Sequence, residues 1–165
     1  MAIDKSILGI AGEFAVAAEL CRRNIYAQLT LGHQKRTDLL VFRETGRIYR
    51  IEVKAKQGRD WPNCKGIWDR ESFIVFVDFA GKKDIERPDF YILTAQDWNA
   101  VVVSEMKRYL EKHPDRHAEI TEQNVLVLLD EVNASGKAYQ GTGVRPEYIQ
   151  DHREAWCKIN QLAGG

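Results

Sequence analysis

The stretch that decides the fold of this chain is TDLLVFRETGRIYRIEVKAK, residues 37–56. Two segments of it, 37–43 and 49–56, are short and rich in β-branched or aromatic residues, which predicts two β-strands. The linker between them is short and carries Gly46, a residue that tolerates the backbone of a tight turn. We therefore expect an antiparallel hairpin at this point of the chain.

Three charged residues of the hairpin suggest chemistry. Alternate residues of a strand share a face, so Glu52 and Lys54 project together, and pairing of the two strands brings Asp38 close to Glu52. Two carboxylates can hold Mg²⁺ and leave positions for water and phosphate. An ammonium can orient or help deprotonate the attacking water, or offset charge in the transition state. The alternative is a solvent-facing strand edge, because Arg50, Glu52, Lys54 and Lys56 alternate as they would on an exposed face.

Residues 3–24 have the periodicity of an amphipathic helix. Its expected buried stripe consists of Ile7, Ile10, Phe14, Ala17 and Cys21. Glu13 falls at the border of that stripe, whereas Glu19 falls on the opposite side and is expected in water. A carboxylate at the border of a buried face is costly unless it is paired or bound to a cation. Glu13 is therefore a further candidate for the site.

The spacing D-x13-E-x-K from Asp38 to Lys54 resembles the PD-(D/E)XK nuclease superfamily, with Thr37 in place of the motif's proline. Upstream, GIAGEFAVAAELCRRN is similar to the family's first helix, in which a G-x-x-G-E segment supplies another acid to the metal site, here Glu13. Downstream, WDRESFIVFVDF and RPDFYILTAQDW are similar to the next two strands of that core. The resemblance covers roughly residues 7–112.

The resemblance implies an α/β fold of restriction-endonuclease-like type, a mixed β-sheet flanked by helices. We expect a single domain over residues 1–165, with 133–165 a loop and a C-terminal helix appended to the core. The further expected strands are 26–31, 73–79 and 90–93, and 125–129 is a short apolar run that is either a strand or a buried turn. We also expect a helix from Thr94 to about Lys112, loops at 57–70 and 133–143, and a helix at 146–162.

The resemblance also implies a Mg²⁺-dependent nuclease that hydrolyses DNA phosphodiester bonds as an endonuclease, with Mn²⁺ substituting for Mg²⁺. The implied metal ligands are Asp38, Glu52 and the carbonyl of Val53, and Glu13 holds a water of the metal or a second ion. The implied catalytic residues are Glu13, Asp38, Glu52 and Lys54. The family commonly cuts duplexes as homodimers. We therefore expect duplex or branched DNA as the partner and a homodimer or higher homo-oligomer as the assembly. A catalytically inactive binding module with the same fold, and a coincidental motif in an unrelated α/β protein, are the alternatives.

The charge distribution suits a polyanionic partner. The chain has no net charge, but residues 1–72 carry a net charge of +4 and residues 73–165 one of −4. Random scatter of surface charge is the alternative. The residues expected to contact nucleic acid are Lys35, Arg36, Lys56, Gln57, Arg59, Trp61 and Lys65. Cations neutralise phosphates and an indole can stack on a base, although Trp61 and Trp68 can equally pack their loop onto the core.

Cysteine usage and hydropathy bear on the compartment. Cys21, Cys64 and Cys157 make neither a disulfide framework nor a zinc pattern. No apolar run approaches the roughly 20 residues of a membrane span, and no secretory h-region is visible. We therefore expect a cytoplasmic protein that does not enter a membrane.

Overall fold

The structure is a computed structural model that describes residues 4–30, 36–44 and 46–161. Lys35, one of the expected nucleic-acid contacts, lies outside the described residues. The elements in chain order are α1 (Lys5–Cys21), β1 (Ala27–Leu29), β2 (Leu39–Phe42), β3 (Ile48–Lys56), β4 (Trp61–Cys64), β5 (Ser72–Asp78), β6 (Asp89–Thr94), α2 (Ala95–Lys112), β7 (Ala118–Ile120), β8 (Leu126–Val132), β9 (Ala138–Gln140), β10 (Thr142–Val144) and α3 (Cys157–Gln161). Within the described ranges, no helix is long and apolar enough to cross a membrane.

The central sheet is mixed. Its strand order, within the described residues, is β1-β2-β3-β5-β6. The predicted hairpin is confirmed, because β2 and β3 pair antiparallel with Leu39 opposite Ile51. β3 and β5 are parallel, and the remaining neighbours are antiparallel. The fold is thus α/β with a mixed sheet.

Alternate residues of the central strands fill two separate apolar cores. One lies between the sheet and α1 and includes Val16, Ile51 and Val75. The other lies between the sheet and α2 and includes Phe76 and Trp98. Because both faces of the sheet are covered, every residue of β5 is buried, as its continuous apolar run predicts.

The second long helix begins where its cap predicts. The Thr94 hydroxyl accepts a hydrogen bond from the Asp97 backbone, and the Asp97 carboxylate accepts one from the Thr94 backbone. This reciprocal pair satisfies two helix-terminal donors and orients the acidic residue toward the positive end of the helix dipole.

The expected loop at 133–143 and helix at 146–162 are wrong. β9 pairs with β8, and β10 pairs with β4, which itself interrupts the loop expected at 57–70. Two short 3₁₀ turns and an irregular stretch precede α3, so only its five residues are α-helical. A strand of three or four residues is too short for its own sequence to predict it, and whether it forms depends on pairing with residues distant in the chain.

The expected buried stripe of α1 is also wrong. Ile7, Ile10 and Phe14 are between 50% and 62% exposed, and Cys21 is exposed as well. The face on the sheet instead carries Gly12, Val16, Glu19 and Leu20. The reason is steric: a Cβ at Gly12 would lie 2.7 Å from the Cβ of Ala55, so only the glycine face lets the helix approach this closely.

Candidate active site

Asp38 is fixed at the point where β2 meets β3. It lies one residue before β2, and its backbone N–H donates to the Ile51 carbonyl at 2.9 Å. Its carboxylate Oδ2 accepts the Val53 N–H at 2.7 Å. β3 extends to Lys56, beyond Ile51, where its pairing with the first residue of β2 lies. The Asp38 carboxylate therefore accepts a backbone hydrogen bond that a longer partner strand would otherwise accept. The side chain is therefore held at the open edge of β3.

Glu52 and Lys54 form an ion pair on the same strand. Lys54 Nζ lies 2.6 Å from Glu52 Oε1, and the Glu52 side chain is 5% exposed whereas that of Lys54 is 35% exposed. The other oxygen, Glu52 Oε2, is buried and has no hydrogen-bond partner among the described residues. Leaving a charged acceptor unsatisfied inside a protein is costly, so this oxygen is an open position for a donor or a cation.

α1 brings Glu13 to the same place. The contact of Gly12 with Ala55 and Val53 places the next residue of the helix beside the hairpin. Burial raises the pKa of the Glu13 carboxyl, the charge of Asp38 raises it further, and Lys54 opposes both. Glu13 is therefore close enough to Asp38 and Lys54 to interact electrostatically. Asp38, Glu52 and Lys54 thus lie on the hairpin, and Glu13 interacts electrostatically with two of them, Asp38 and Lys54.

The charge on Lys54 is maintained by its neighbours. Burial by itself lowers the pKa of this amine, but Glu52 and Asp38 outweigh burial and the pKa is raised. An ammonium at this position is a fixed positive charge rather than a base.

One residue near the site, Cys64, carried no signal in the sequence. Burial raises the pKa of the Cys64 thiol to about 12, and the charges of Lys54, Glu52 and Asp60 act on it. The thiol is therefore protonated and unreactive at neutral pH. Cys64 is the last residue of β4. The pairing of β4 with β10, which is distant in sequence, could not be predicted from the residues of β4 alone.

The oxygen donors of this site are of the kind that Mg²⁺ takes in proteins. No three His, Cys, Asp or Glu side chains are grouped to hold a metal within residues 4–30, 36–44 and 46–161. Mg²⁺ does not require three, because it is usually bound by one or two carboxylates, with water and substrate phosphate completing the shell. Asp38 and the unpaired oxygen of Glu52 supply two carboxylates. The N–H and C=O of one strand residue point to the same edge, so the Val53 carbonyl is directed to the side where Asp38 lies.

Two of the expected nucleic-acid contacts are corrected. Lys56 is buried, 2.7 Å from Asp78 and above the ring of Trp61. Trp61 is buried too, and its indole N–H donates to the Val77 carbonyl. Both side chains hold β4 against the sheet, which leaves neither free to contact a ligand. The remaining expected contacts stay at the surface: Gln57, Arg59 and Lys65 are exposed, and Arg36 is partly exposed.

Comparison with solved structures shows a likeness to a nuclease. The chain is similar to the solved structure of a bacterial homing endonuclease, with 17% sequence identity and a TM-score of 0.45, over 96% of this chain and 94% of the other. No family model matches the sequence, and no curated protein does. What the site can do is therefore inferred from its own geometry.

Proposed function

We propose that this protein is a metal-dependent nuclease that hydrolyses phosphodiester bonds of DNA as an endonuclease. The observation that carries the proposal is the buried oxygen Glu52 Oε2, which has no hydrogen-bond partner among the described residues. The other oxygen of the same carboxylate pairs with Lys54, and the Asp38 carboxylate is bound to the backbone of Val53 on the same strand. A protein that used Glu52 only for structure would satisfy both of its oxygens, because a half-paired buried carboxylate is destabilising. A cation at this oxygen removes that cost.

Asp38, Glu52 and the Val53 carbonyl would hold Mg²⁺, with Mn²⁺ as a substitute. When bound, the cation supplies positive charge to the phosphate and Lewis acidity for its displacement. Asp38 is suited to a fixed role because the Val53 N–H already orients its carboxylate. One oxygen of Asp38 makes that hydrogen bond and leaves the other for a ligand.

Lys54 and Glu13 have roles of their own. The Lys54 ammonium is partly exposed and is anchored by Glu52 at 2.6 Å, so it can reach a phosphate oxygen and stabilise charge that develops there. Glu13 is half-buried at the end of the same group of charges. Its carboxylate can accept a hydrogen bond from the attacking water and orient it toward phosphorus.

The protein would approach DNA through its exposed cations. Arg59 and Lys65 flank β4, which adjoins the site through Cys64. Contacts of this kind neutralise phosphates and position the strand without reading its sequence. The expected homodimer stays a prediction.

The proposal is tested by incubating the protein with supercoiled, linear duplex, branched and single-stranded DNA in Mg²⁺, Mn²⁺, Ca²⁺ or EDTA. Asp38→Asn should abolish cleavage while retaining the fold, because it removes a charge from a cluster of like charges. Glu119→Gln, an exposed acid on β7, is the matched control and should cleave normally.

Two outcomes would contradict the proposal. Cleavage by Asp38→Asn at the wild-type rate would remove Asp38 from the site. Metal-independent DNA binding by a wild-type protein that cuts no substrate in Mg²⁺ or Mn²⁺ would favour the inactive binding module instead.

A further inference from the structure

Trp68 differs from the other tryptophans of the chain. Trp61, Trp98 and Trp156 are buried, whereas Trp68 is 43% exposed. It lines a pocket of about 590 Å³, here named the Trp68 pocket. The lining residues that matter to its chemistry are Arg36, Thr37, Arg50, Trp68, Asp69 and Ser72. A volume of this order is typical of small-molecule sites, for which the range is about 300–1,000 Å³.

Arg36 provides a cation above the exposed indole. Its guanidinium carbon lies 5.0 Å from the centre of the Trp68 ring, and it makes no hydrogen bond or ion pair with the residues that the structure describes. The Arg36 backbone has a φ of +62°, a conformation that non-glycine residues seldom adopt. The pocket therefore combines an aromatic surface with a positive charge that has no counter-ion in the described chain.

The second arginine of the pocket is held in place. Arg50 Nη2 lies 2.8 Å from Asp69 Oδ1, and Ser72 donates to the other oxygen of Asp69 at 2.7 Å. Asp69 offsets the charge of Arg50, so the charge of Arg36 remains as the excess. A group with one negative charge and one flat ring would match the pocket.

The Trp68 pocket adjoins the proposed active site. Arg50 precedes Glu52 by two residues on the same face of β3, which places the two about 7 Å apart along the strand. Thr37, which also lines the pocket, is followed directly by Asp38. The pocket therefore lies next to the proposed active site.

We propose that the Trp68 pocket holds one unpaired nucleobase of a DNA strand, stacked on Trp68, with a phosphate of that strand on Arg36. The location of the base, beside the cleaved bond, rests on the proposed function. Stacking on an indole suits any base, since every base has a π-face, so the pocket selects an unpaired nucleotide and not a sequence. Displaced, branched or distorted DNA would therefore be preferred to intact duplex.

The experiment measures quenching of tryptophan fluorescence by a six-nucleotide oligothymidylate in EDTA, where no metal is bound and no DNA is cut. We expect saturable quenching by the oligonucleotide and none by an abasic chain of equal length. Trp68→Phe should lose the quenching. Measured by fluorescence anisotropy of a labelled oligothymidylate, Trp68→Ala should bind between about 5-fold and 150-fold more weakly, the range expected for loss of one base stack.

Arg36→Gln leaves the indole in place and keeps the test decisive if the Trp68 variants do not fold. This substitution should weaken binding of the oligonucleotide and reduce the salt dependence of binding by the amount expected for about one phosphate contact. Tyr26→Ala removes another exposed aromatic side chain, which precedes β1, and is the matched control, with no change expected. Equal quenching by the abasic chain, or quenching that survives in Trp68→Phe, would overturn the proposal.

Failure of this proposal and failure of the proposed function are separable. Asp38→Asn should keep the quenching, because the pocket does not use the metal site. Quenching without cleavage in any metal would retain the base site and reject the nuclease. Cleavage without quenching would retain the nuclease and reject the base site.

Discussion

Glu19 offers a quantitative test of the packing of α1. It was expected in water, but it is buried against the sheet and bound by three arginines. Its carboxylate lies 2.8 Å from Arg22, 2.6 Å from Arg23 and 2.7 Å from Arg87. The hydrogen bond from Arg87 has the largest effect on the pKa of Glu19. Together with the hydrogen bond from Arg23 and the charges of Arg87 and Arg22, it outweighs burial and lowers this pKa from 4.5 to about 2.

Glu19→Gln removes this charge with little change of shape. A pKa that falls from 4.5 to about 2 on folding corresponds to roughly 3 kcal/mol of stability at neutral pH. The sign follows from the lowered pKa: the contribution is complete above the unfolded value and is lost as the pH falls through the folded value. About half of it should remain near pH 3 and little at pH 2.

The assay is urea unfolding of the wild type and Glu19→Gln at pH 7, 5 and 3. Glu111→Gln, an exposed acid on α2, is the matched control and should change the free energy of unfolding by less than about 0.5 kcal/mol. A Glu19→Gln loss below about 1 kcal/mol at pH 7, or a loss that does not shrink toward pH 3, would refute this account of the buried carboxylate.

Three further outcomes follow from the packing. Gly12→Ala should lower stability by about 1–3 kcal/mol and reduce cleavage, because its Cβ meets Ala55, whereas Gly9→Ala, with open space around it, should raise thermal stability. Phe14→Ser should leave the free energy of unfolding within about 1 kcal/mol of wild type, and Leu20→Ala should lower it by about 2–5 kcal/mol. A larger loss for Phe14→Ser than for Leu20→Ala in chemical denaturation would contradict the exposure of Phe14. Lys56→Ala should destabilise the protein by about 3–5 kcal/mol in the same measurement, because it leaves the buried Asp78 carboxylate without its ion-pair partner. Unchanged stability together with weakened DNA binding would contradict the burial of Lys56.

The central hairpin and the charges on it could be predicted because their signals are local. Strand alternation places Glu52 and Lys54 on one face, and a short turn at Gly46 is enough to bring Asp38 opposite them. The start of α2 was predictable for the same reason, since its cap lies within four consecutive residues.

The rest depends on contacts distant in sequence. Periodicity identified the most apolar face of α1, but the helix packs by the face of Gly12, where the backbone comes so close to the sheet that a Cβ would lie 2.7 Å from that of Ala55. Likewise β4 and β10 each have only three or four residues, and they become strands by pairing with each other across nearly eighty positions. Pairing at that separation also determined that Trp61 is buried.

The most direct test of the central claim is the Mg²⁺ dependence of the DNA cleavage rate in wild type and in Glu52→Gln. Glutamine keeps the size of the side chain but removes the charge that the unpaired oxygen would offer to a cation. Wild-type cleavage should rise from zero in EDTA to a plateau as Mg²⁺ is added, and Glu52→Gln should be slower by about 100-fold or more at every concentration. Cleavage in EDTA, or a Glu52→Gln variant with the wild-type rate and Mg²⁺ dependence, would contradict the claim that this oxygen binds the catalytic cation.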